Sequence, residues 1–365
     1  MAIYFQNLGL LNELVTGYPK KYVTPFGIQR QHIKSLYINE IINRTTNFLG
    51  IGYPLDFWAC EAFDLFASKF IKYDSDVYFI WSGYALNTIK TLRKKNPKAK
   101  IILVRGSAHI QEQEILLKRG NNSKAQQINR KIIKKELAEY DACDFITVPS
   151  TFAYNSFLKN GFHLGKLFKN ILGVEMAAFP FKKKDIPGNK ISIGYVGTLS
   201  KQKNVASLID VIKQLNKDAI QYKLILAGPI EHSSFDVELL KQDFIEYYGK
   251  LPQNELYKIY QQVDVFVLNS SQDGFGIVVL QAMSSGCPVI ATENSGGPDV
   301  ISAYKNGILV PAFDNFALKQ AIIWFYQNQS EIPSMGKVSR AISENGFTWE
   351  DFGRRNMEFI NKLKS

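Results

Sequence analysis

The chain has 365 residues, of which 46% are hydrophobic and 21% charged, and this composition excludes disordered, collagen-like and coiled-coil proteins. The length predicts two domains rather than one. No apolar run approaches the ~18 residues of a membrane span, and the N-terminus lacks the basic start and apolar core of a signal peptide. The three cysteines lie far apart, which argues against a disulfide framework. We therefore expect a reduced, cytoplasmic protein.

The net charge of +11 is unevenly distributed. Residues 1–185 contain 27 Lys and Arg against 15 Asp and Glu, a formal charge of +12, whereas residues 186–365 carry −1. A basic half favours anionic partners such as acidic lipids or phosphorylated substrates, although each basic cluster can also be a solvated face. We expect no nucleic-acid partner, because the basic residues are not interleaved with aromatic ones and no reader motif is present.

The first half of the chain is predicted to be an irregular α/β domain. The opening segment MAIYFQNLGLLNELVTGYP is typical of a helix followed by a strand. Further strands are predicted over 76–83, 100–107 and 144–150, with helical stretches over 84–95 and within 111–140.

The second half of the chain has a regular alternation of strands and helices. Strands are predicted over 191–197, 222–228, 263–269 and 288–293, and helices over 204–215, 254–263 and 276–286. The order βαβαβαβ predicts a doubly wound parallel sheet. The last segment, TWEDFGRRNMEFINKLKS, has the pattern of an amphipathic helix.

The boundary between the halves is predicted in the basic, Pro- and Gly-containing stretch FPFKKKDIPGNK at 179–190, which has linker composition. We therefore predict one domain over 1–185, a second domain over 186–345 and a helix over 346–365. Two parallel sheets that face each other leave a cleft at the carboxyl ends of their strands, where ligands bind.

The segment NSSQDGFGIVVLQAMSSGCPVIAT at 269–292 carries the clearest chemical signal. A buried strand ends there, a loop follows with Asp273 and Gly274-Phe275-Gly276, and a helix then begins. Glycines allow a ligand to approach the backbone, and the N–H groups at a helix N-terminus attract phosphate. Gln281 lies eight residues after Asp273 and can face the same cleft. The alternative is an ordinary strand–turn–helix without a ligand.

These residues resemble the motif of glycosyltransferase family 4, the retaining nucleotide-sugar transferases of GT-B fold. The family has Glu-Gly-Phe-Gly and a second Glu at the spacing of Asp273 and Gln281. Further matching segments are Ile171-Leu172-Gly173-Val174-Glu175, Gly197-Thr198-Leu199 with Lys203-Asn204, Leu226-Ala227-Gly228, Tyr248-Gly249-Lys250-Leu251 and Gly296-Gly297. The resemblance implies two Rossmann-like doubly wound domains that face each other across a cleft.

The resemblance also implies a role for each matching position. Asp273 would hold hydroxyls of the donor sugar, Gln281 would bind the ribose, and Lys203 would neutralise the diphosphate leaving group. The family places an arginine where Thr198 stands, and Lys201 is near enough to replace it. The remaining donor-binding positions are Gly197, Gly228, Lys250, Leu251, Gly274, Phe275, Gly276, Ile277 and Val278. The resemblance implies a nucleotide diphosphate sugar as the donor, with no cofactor and no metal. It also implies that the domain over 186–345 binds the nucleotide sugar, that the domain over 1–185 binds the acceptor, and that the helix over 346–365 returns towards the first domain.

The first half offers one further candidate catalytic residue. His109 follows the strand predicted at 100–107, whose end should face the cleft, and the family often has a histidine near the reacting sugar at such a loop. Arg105 and Ser107 are neighbouring candidates. The acidic triplet Asp74-Ser75-Asp76 resembles the manganese motif of another transferase class, but we interpret it as the turn before a strand. Family members open with a strand, so the first strand is interpreted as missing or trimmed.

Together these features predict a glycosyltransferase that acts on a sugar or lipid-linked acceptor in the synthesis of cell-surface polysaccharide, lipopolysaccharide or glycolipid. The basic N-terminal half would make peripheral contact with anionic lipids at the inner face of the cell membrane. Because Thr198 and Gln281 depart from the family pattern, a non-catalytic nucleotide-sugar-binding protein is a second hypothesis. A nucleotide-sugar epimerase of the same fold is a third.

Overall fold

The computed structural model describes residues 1–36, 52–120, 128–217 and 221–364. Two groups of parallel strands, each flanked by helices, make up most of these residues. The helices are Ala2–Asn7 (α1), Lys20–Val23 (α2), Gly52–Phe70 (α3), Leu86–Lys95 (α4), Ile110–Gly120 (α5), Arg130–Ala142 (α6), Thr151–Lys159 (α7), Val205–Leu215 (α8), Leu256–Gln262 (α9), Ile277–Ser284 (α10), Gly297–Val300 (α11), Asn315–Gln327 (α12), Ile332–Glu344 (α13) and Trp349–Lys364 (α14). The strands are Leu14–Thr16 (β1), Ile33–Ser35 (β2), Val77–Trp81 (β3), Lys100–Val104 (β4), Phe145–Val148 (β5), Leu167–Lys169 (β6), Ile191–Val196 (β7), Tyr222–Ala227 (β8), Ile245–Tyr247 (β9), Val265–Leu268 (β10), Val289–Thr292 (β11) and Gly307–Val310 (β12).

The C-terminal sheet is parallel and has the strand order β12-β11-β10-β7-β8-β9. Its central strands β10 and β11 are buried along their whole length, because helices cover both faces, and such strands are apolar throughout. The chain order reverses between β7 and β10, and ligands of doubly wound sheets bind at that point. The carboxyl ends of β7 and β10 therefore define the candidate site.

The N-terminal strands form two separate sheets. Strands β3, β4, β5 and β6 are parallel and lie in chain order, and β1 pairs with β2 in a parallel pair of its own. A buried apolar core joins β4 and β5 to α4, α6 and α7. The opening helix and strand agree with the order predicted from the sequence.

The chain crosses between its two halves twice, once after Val174 and once after Phe347, and the two crossing segments are adjacent. The Val174 N–H donates to the Phe347 carbonyl at 2.8 Å, and a Cβ on Gly173 would lie 2.4 Å from the backbone of Thr348, so these two crossing segments are in direct contact. Helix α14 then lies against the N-terminal half. Its Phe359 ring stacks on Phe168 with 4.1 Å between ring centroids.

Most elements of the second half begin and end within about two residues of their predicted bounds. The structure adds the strands β9 and β12 and the helices α11, α12 and α13, which were not predicted. The long helical stretch predicted over 111–140 is two helices, α5 and α6, and residues 121–127 between them lie outside the described residues. The domain boundaries remain a prediction.

Candidate active site

The loop between β10 and α10 is held in one shape by backbone contacts. The Asp273 N–H donates to the Asn294 carbonyl at 2.8 Å, and the Phe275 carbonyl accepts from the Gly296 N–H at 2.7 Å. Gly276 has φ +76°, and a Cβ there would lie 2.4 Å from Leu268, so this position requires glycine. The N-cap residue of α10 is Gly276, which has no side chain to cap the helix, and N–H groups at a helix N-terminus are suited to bind an anion.

Two of the predicted catalytic side chains meet at this helix N-terminus. Lys203 precedes α8 and its ammonium forms an ion pair with the Asp273 carboxylate. Their strands β7 and β10 are parallel neighbours, so residues that follow them lie at the same edge of the sheet. Both side chains are partly exposed, at 23% and 19%, and can therefore be reached by a ligand.

The predicted glycine turns stack on each other at the ends of β7 and β8. Gly197 and Gly228 both have positive φ angles, +149° and +145°, and a Cβ on Gly228 would lie 1.9 Å from the Gly197 carbonyl oxygen. The Gly228 N–H donates to the Gly249 carbonyl at 2.8 Å, which places the predicted Lys250 and Leu251 directly after this contact. Thr198 lies beside Gly197 and its carbonyl accepts from the Tyr195 hydroxyl at 2.8 Å. Lys201 is exposed in the following turn.

Gln281 is more deeply buried than predicted. Only 3% of the residue is exposed, and its side-chain carbonyl accepts a hydrogen bond from the Tyr260 hydroxyl at 2.8 Å. Burial raises the pKa of Tyr260 well above its usual value, which keeps the hydroxyl protonated as a donor. This bond uses one of the two lone pairs of the Gln281 carbonyl oxygen, so the two amide N–H donors and the second lone pair can bind another partner.

A helix N-terminus in the N-terminal half provides a useful contrast. At α4 the Glu139 carboxylate accepts from the N–H groups of Gly83 and Ala85 at 2.6 and 2.9 Å. Asp64 accepts from those of Asn87 and Thr88 at 2.8 and 2.9 Å. The N–H groups at α4 are thus occupied by the chain's own carboxylates. At α10, whose N-cap residue is Gly276, no such carboxylate bond is found among the described residues. An external anion is therefore expected at α10 and not at α4.

The loop of the candidate site is in contact with the N-terminal half. The Ser150 hydroxyl donates to the Gly274 carbonyl at 2.6 Å, and the Ser107 hydroxyl donates to the Gln272 side chain at 3.2 Å. A Cβ on Gly274 would lie 1.8 Å from the Gly106 carbonyl oxygen. The sequence singled out Ser107 as a neighbouring candidate and missed Ser150, which lies at the end of the strand predicted over 144–150.

His109 does not have the orientation that we expected. The residue is 1% exposed, and its ring packs against Tyr140, Phe157 and Phe162 with centroids 5.0–5.6 Å away. Within the described part of the chain, neither ring nitrogen has a hydrogen-bond partner. Burial, with a smaller contribution from Arg105, lowers its pKa to about 4. The residue does follow β4 as predicted, but three apolar rings draw its side chain into the core. A catalytic role for His109 has no contact here to support it.

Arg105 is also directed inward, where it forms an ion pair with Glu136 at 3.2 Å. Among the described residues no group of three or more His, Cys, Asp or Glu side chains is arranged to hold a metal ion. Asp74 of the acidic triplet accepts a hydrogen bond from Asn12 at 2.7 Å, next to the start of β3. Across the described ranges no helix has both the length and the apolar character needed to cross a membrane.

Residues 178–349 match the family model described as glycosyl transferases group 1. The amylovoran biosynthesis glycosyltransferase AmsK of Erwinia amylovora is 23% identical over 303 residues, which cover 79% of this chain and 70% of that protein. The capsular polysaccharide biosynthesis glycosyltransferase CapM of Staphylococcus aureus is 25% identical over 255 residues, which cover 63% and 65%. The chain spans only 52% and 42% of two relatives named for colanic acid biosynthesis, from Escherichia coli and Salmonella typhimurium.

Solved structures show the same architecture over most of the chain. A glycosyltransferase from Rickettsia africae matches with a TM-score of 0.69 at 15% identity, over 100% of this chain and 93% of that one. Anabaena HepE, in complex with UDP and glucose, matches with a TM-score of 0.62 at 15% identity, over 83% and 81%. The predicted GT-B fold, with two Rossmann-like α/β domains, is confirmed.

Proposed function

We propose that this protein is a retaining glycosyltransferase of family 4 that transfers a sugar from a nucleotide diphosphate sugar to an acceptor during surface-polysaccharide synthesis. The observation that carries the proposal is the Lys203–Asp273 ion pair at the N-terminus of α10, where the N-cap residue is Gly276. The match of residues 178–349 to the glycosyl transferases group 1 model supports it. So do the names of the relatives in capsule and amylovoran synthesis.

In this mechanism the charge of the site acts on the leaving group. As the bond between the sugar and the diphosphate breaks, negative charge develops on the departing nucleotide. Lys203 and the N–H groups of α10 stabilise that charge, which removes the need for a metal ion. Lys203 moves part of its interaction from Asp273 to the diphosphate, and Asp273 then accepts hydrogen bonds from sugar hydroxyls. Gln281 contributes its amide group towards the ribose.

Nucleotide binding provides the direct test. We expect titration calorimetry with UDP, GDP or ADP, in the presence of a chelator, to detect one nucleotide series. Lys203→Ala should weaken that binding about 10- to 100-fold, because a hydrogen bond to a charged group contributes about 1.5–3 kcal/mol. Lys213→Ala, which removes an exposed lysine from α8, is the matched control and should bind as the wild type does.

The proposal fails if no nucleotide binds, or if Lys203→Ala and Lys213→Ala bind equally well. With a donor identified, the anomeric configuration of the product can be read by NMR, and retention is the expected outcome. Consumption of the donor without acceptor to give an epimer would instead support the epimerase hypothesis. Binding without turnover in the presence of acceptors would support a non-catalytic protein.

We also propose that the acceptor is lipid-linked and that the N-terminal domain rests on the inner face of the membrane. The N-terminal half carries the positive charge, and Trp58 is 54% exposed with the Lys131 ammonium 5.1 Å from its ring centroid. Exposed tryptophan next to basic side chains is typical of surfaces that bind anionic lipid. Vesicles with anionic lipid should therefore sediment the protein at low salt, and vesicles of neutral lipid should not.

A further inference from the structure

A buried carboxylate of the C-terminal domain has all of its described partners in the N-terminal domain. Asp299, on α11, is 1% exposed at its side chain. One oxygen accepts from the Thr151 N–H at 2.7 Å. The other accepts from the Thr151 hydroxyl at 2.6 Å and from the Lys169 ammonium at 2.8 Å. A buried charge is costly unless such partners are present, so this carboxylate favours the arrangement in which the domains are together.

The N-terminus of α7 also contacts the loop between β10 and α10, which we call the donor loop. Thr151 is the first residue of α7, and the preceding Ser150 donates its hydroxyl hydrogen bond to the Gly274 carbonyl at 2.6 Å. Two consecutive residues therefore bond to α11 and to the loop that follows β10. The Asp299 carboxylate lies at the N-terminus of α7, where negative charge is favourable, and this contact fixes α7 relative to the loop.

We infer that Asp299 is a positioning residue that holds the two domains closed over the donor loop. It has no described contact with Lys203, Asp273 or Gln281, and it acts through Thr151, Lys169 and the neighbouring Ser150. The expected effect of Asp299 on turnover rests on the proposed function. Its expected effect on the arrangement of the domains rests only on the contacts described above.

Asp299→Asn is the informative substitution because it keeps the size of the side chain. Asparagine replaces one of the two carboxylate oxygens by an NH2 group, which donates and cannot accept. In one amide orientation this NH2 group meets the Thr151 N–H, and in the other it meets the Lys169 ammonium. We expect the radius of gyration from small-angle X-ray scattering to rise in this variant. Asp299→Glu, which retains the charge, should remain closer to the wild type. Glu293→Gln removes an exposed carboxylate six residues earlier and should leave the scattering unchanged.

Kinetics separate a positioning role from a general loss of stability. The diphosphate and nucleotide contacts lie in the C-terminal domain, so Asp299→Asn should bind UDP, or whichever nucleotide the wild type selects, with unchanged affinity. Turnover of the sugar donor should fall about 10- to 100-fold, the range expected for the loss of a charged hydrogen bond. Partial unfolding would lower the number of nucleotide-binding sites per chain measured by calorimetry in proportion to the loss of turnover. A lower kcat with unchanged affinity and an unchanged number of sites therefore indicates a positioning role.

The inference is overturned if Asp299→Asn has both the scattering and the turnover of the wild type. If that variant fails to fold, Lys169→Met is the alternative, because it removes one hydrogen-bond donor to Asp299 at a more exposed position. It should also raise the radius of gyration and lower turnover. An unchanged Lys169→Met protein would then also overturn the inference. If no variant and no wild-type protein binds a nucleotide, the proposed function fails, but the scattering comparison still decides whether Asp299 holds the domains together.

Discussion

Protonation of His109 is expected to destabilise the N-terminal domain as the pH falls. Burial lowers the pKa of the folded-state ring from 6.5 to about 4, so between these values the unfolded chain binds a proton that the folded protein does not. Stability is therefore complete above about pH 6.5 and decreases towards pH 4. At ~1.36 kcal/mol per pH unit, the loss reaches about 2 kcal/mol at pH 5 and about 3 kcal/mol at pH 4.

The assay is thermal unfolding at about pH 7.5 and about pH 5 for the wild type and for His109→Leu. Leucine does not titrate, so the variant should lack the 2 kcal/mol loss, which corresponds to roughly 4–8 °C in Tm for a domain of this size. At neutral pH it should be at least as stable as the wild type, because it removes two buried nitrogens that have no hydrogen-bond partner among the residues described by the structure.

His163→Leu is the matched control, since His163 is exposed, and its pH dependence should equal that of the wild type. The reasoning is refuted if His109→Leu loses as much stability between the two pH values as the wild type does. That result would mean that the His109 ring is solvated or protonated in the folded protein.

Two further substitutions test the domain contact and the buried charges. Gly274→Ala places a Cβ 1.8 Å from the Gly106 carbonyl oxygen, so it should push the domains apart and lower turnover. Small-angle X-ray scattering would detect the separation, and unchanged scattering would contradict this close approach. Lys135→Met removes a buried ammonium that contacts Asp64 at 2.9 Å and leaves that fully buried carboxylate without its cation. Thermal unfolding should show a loss of about 3–5 kcal/mol, whereas Lys134→Met, at an exposed position, should change little.

The second half of the chain could be predicted well because its signals are local. Strands such as Val265–Leu268 are short apolar runs followed by turn residues, and α8 has its apolar residues at helical spacing. The meeting of Lys203 and Asp273 could also be predicted, since parallel neighbouring strands place their carboxyl ends at one edge. The strand Gly307–Val310 is as long as Val265–Leu268 and begins at the turn dipeptide Asn306-Gly307, so the sequence carries a signal for this strand that the prediction missed.

The direction of a side chain depends on residues that are distant in the sequence. The position of His109 after β4 followed from the local pattern, but its burial depends on Tyr140, Phe157 and Phe162, which approach it only in the folded domain. The hydrogen bond between Tyr260 and Gln281 similarly joins two helices. Asp299 lies two residues after the glycine pair noted in the sequence, yet its partners belong to the other domain.

The contact between the two crossing segments limits how the domains can move. Because the Val174 N–H bonds to the Phe347 carbonyl, both covalent connections leave the N-terminal domain at the same point, and this point defines an axis about which one domain can turn relative to the other. Lys169 lies only five residues before Val174, so the Asp299 contact is close to this axis. A displacement of an ångström there would be amplified at the outer rim of the cleft, where an acceptor has to enter.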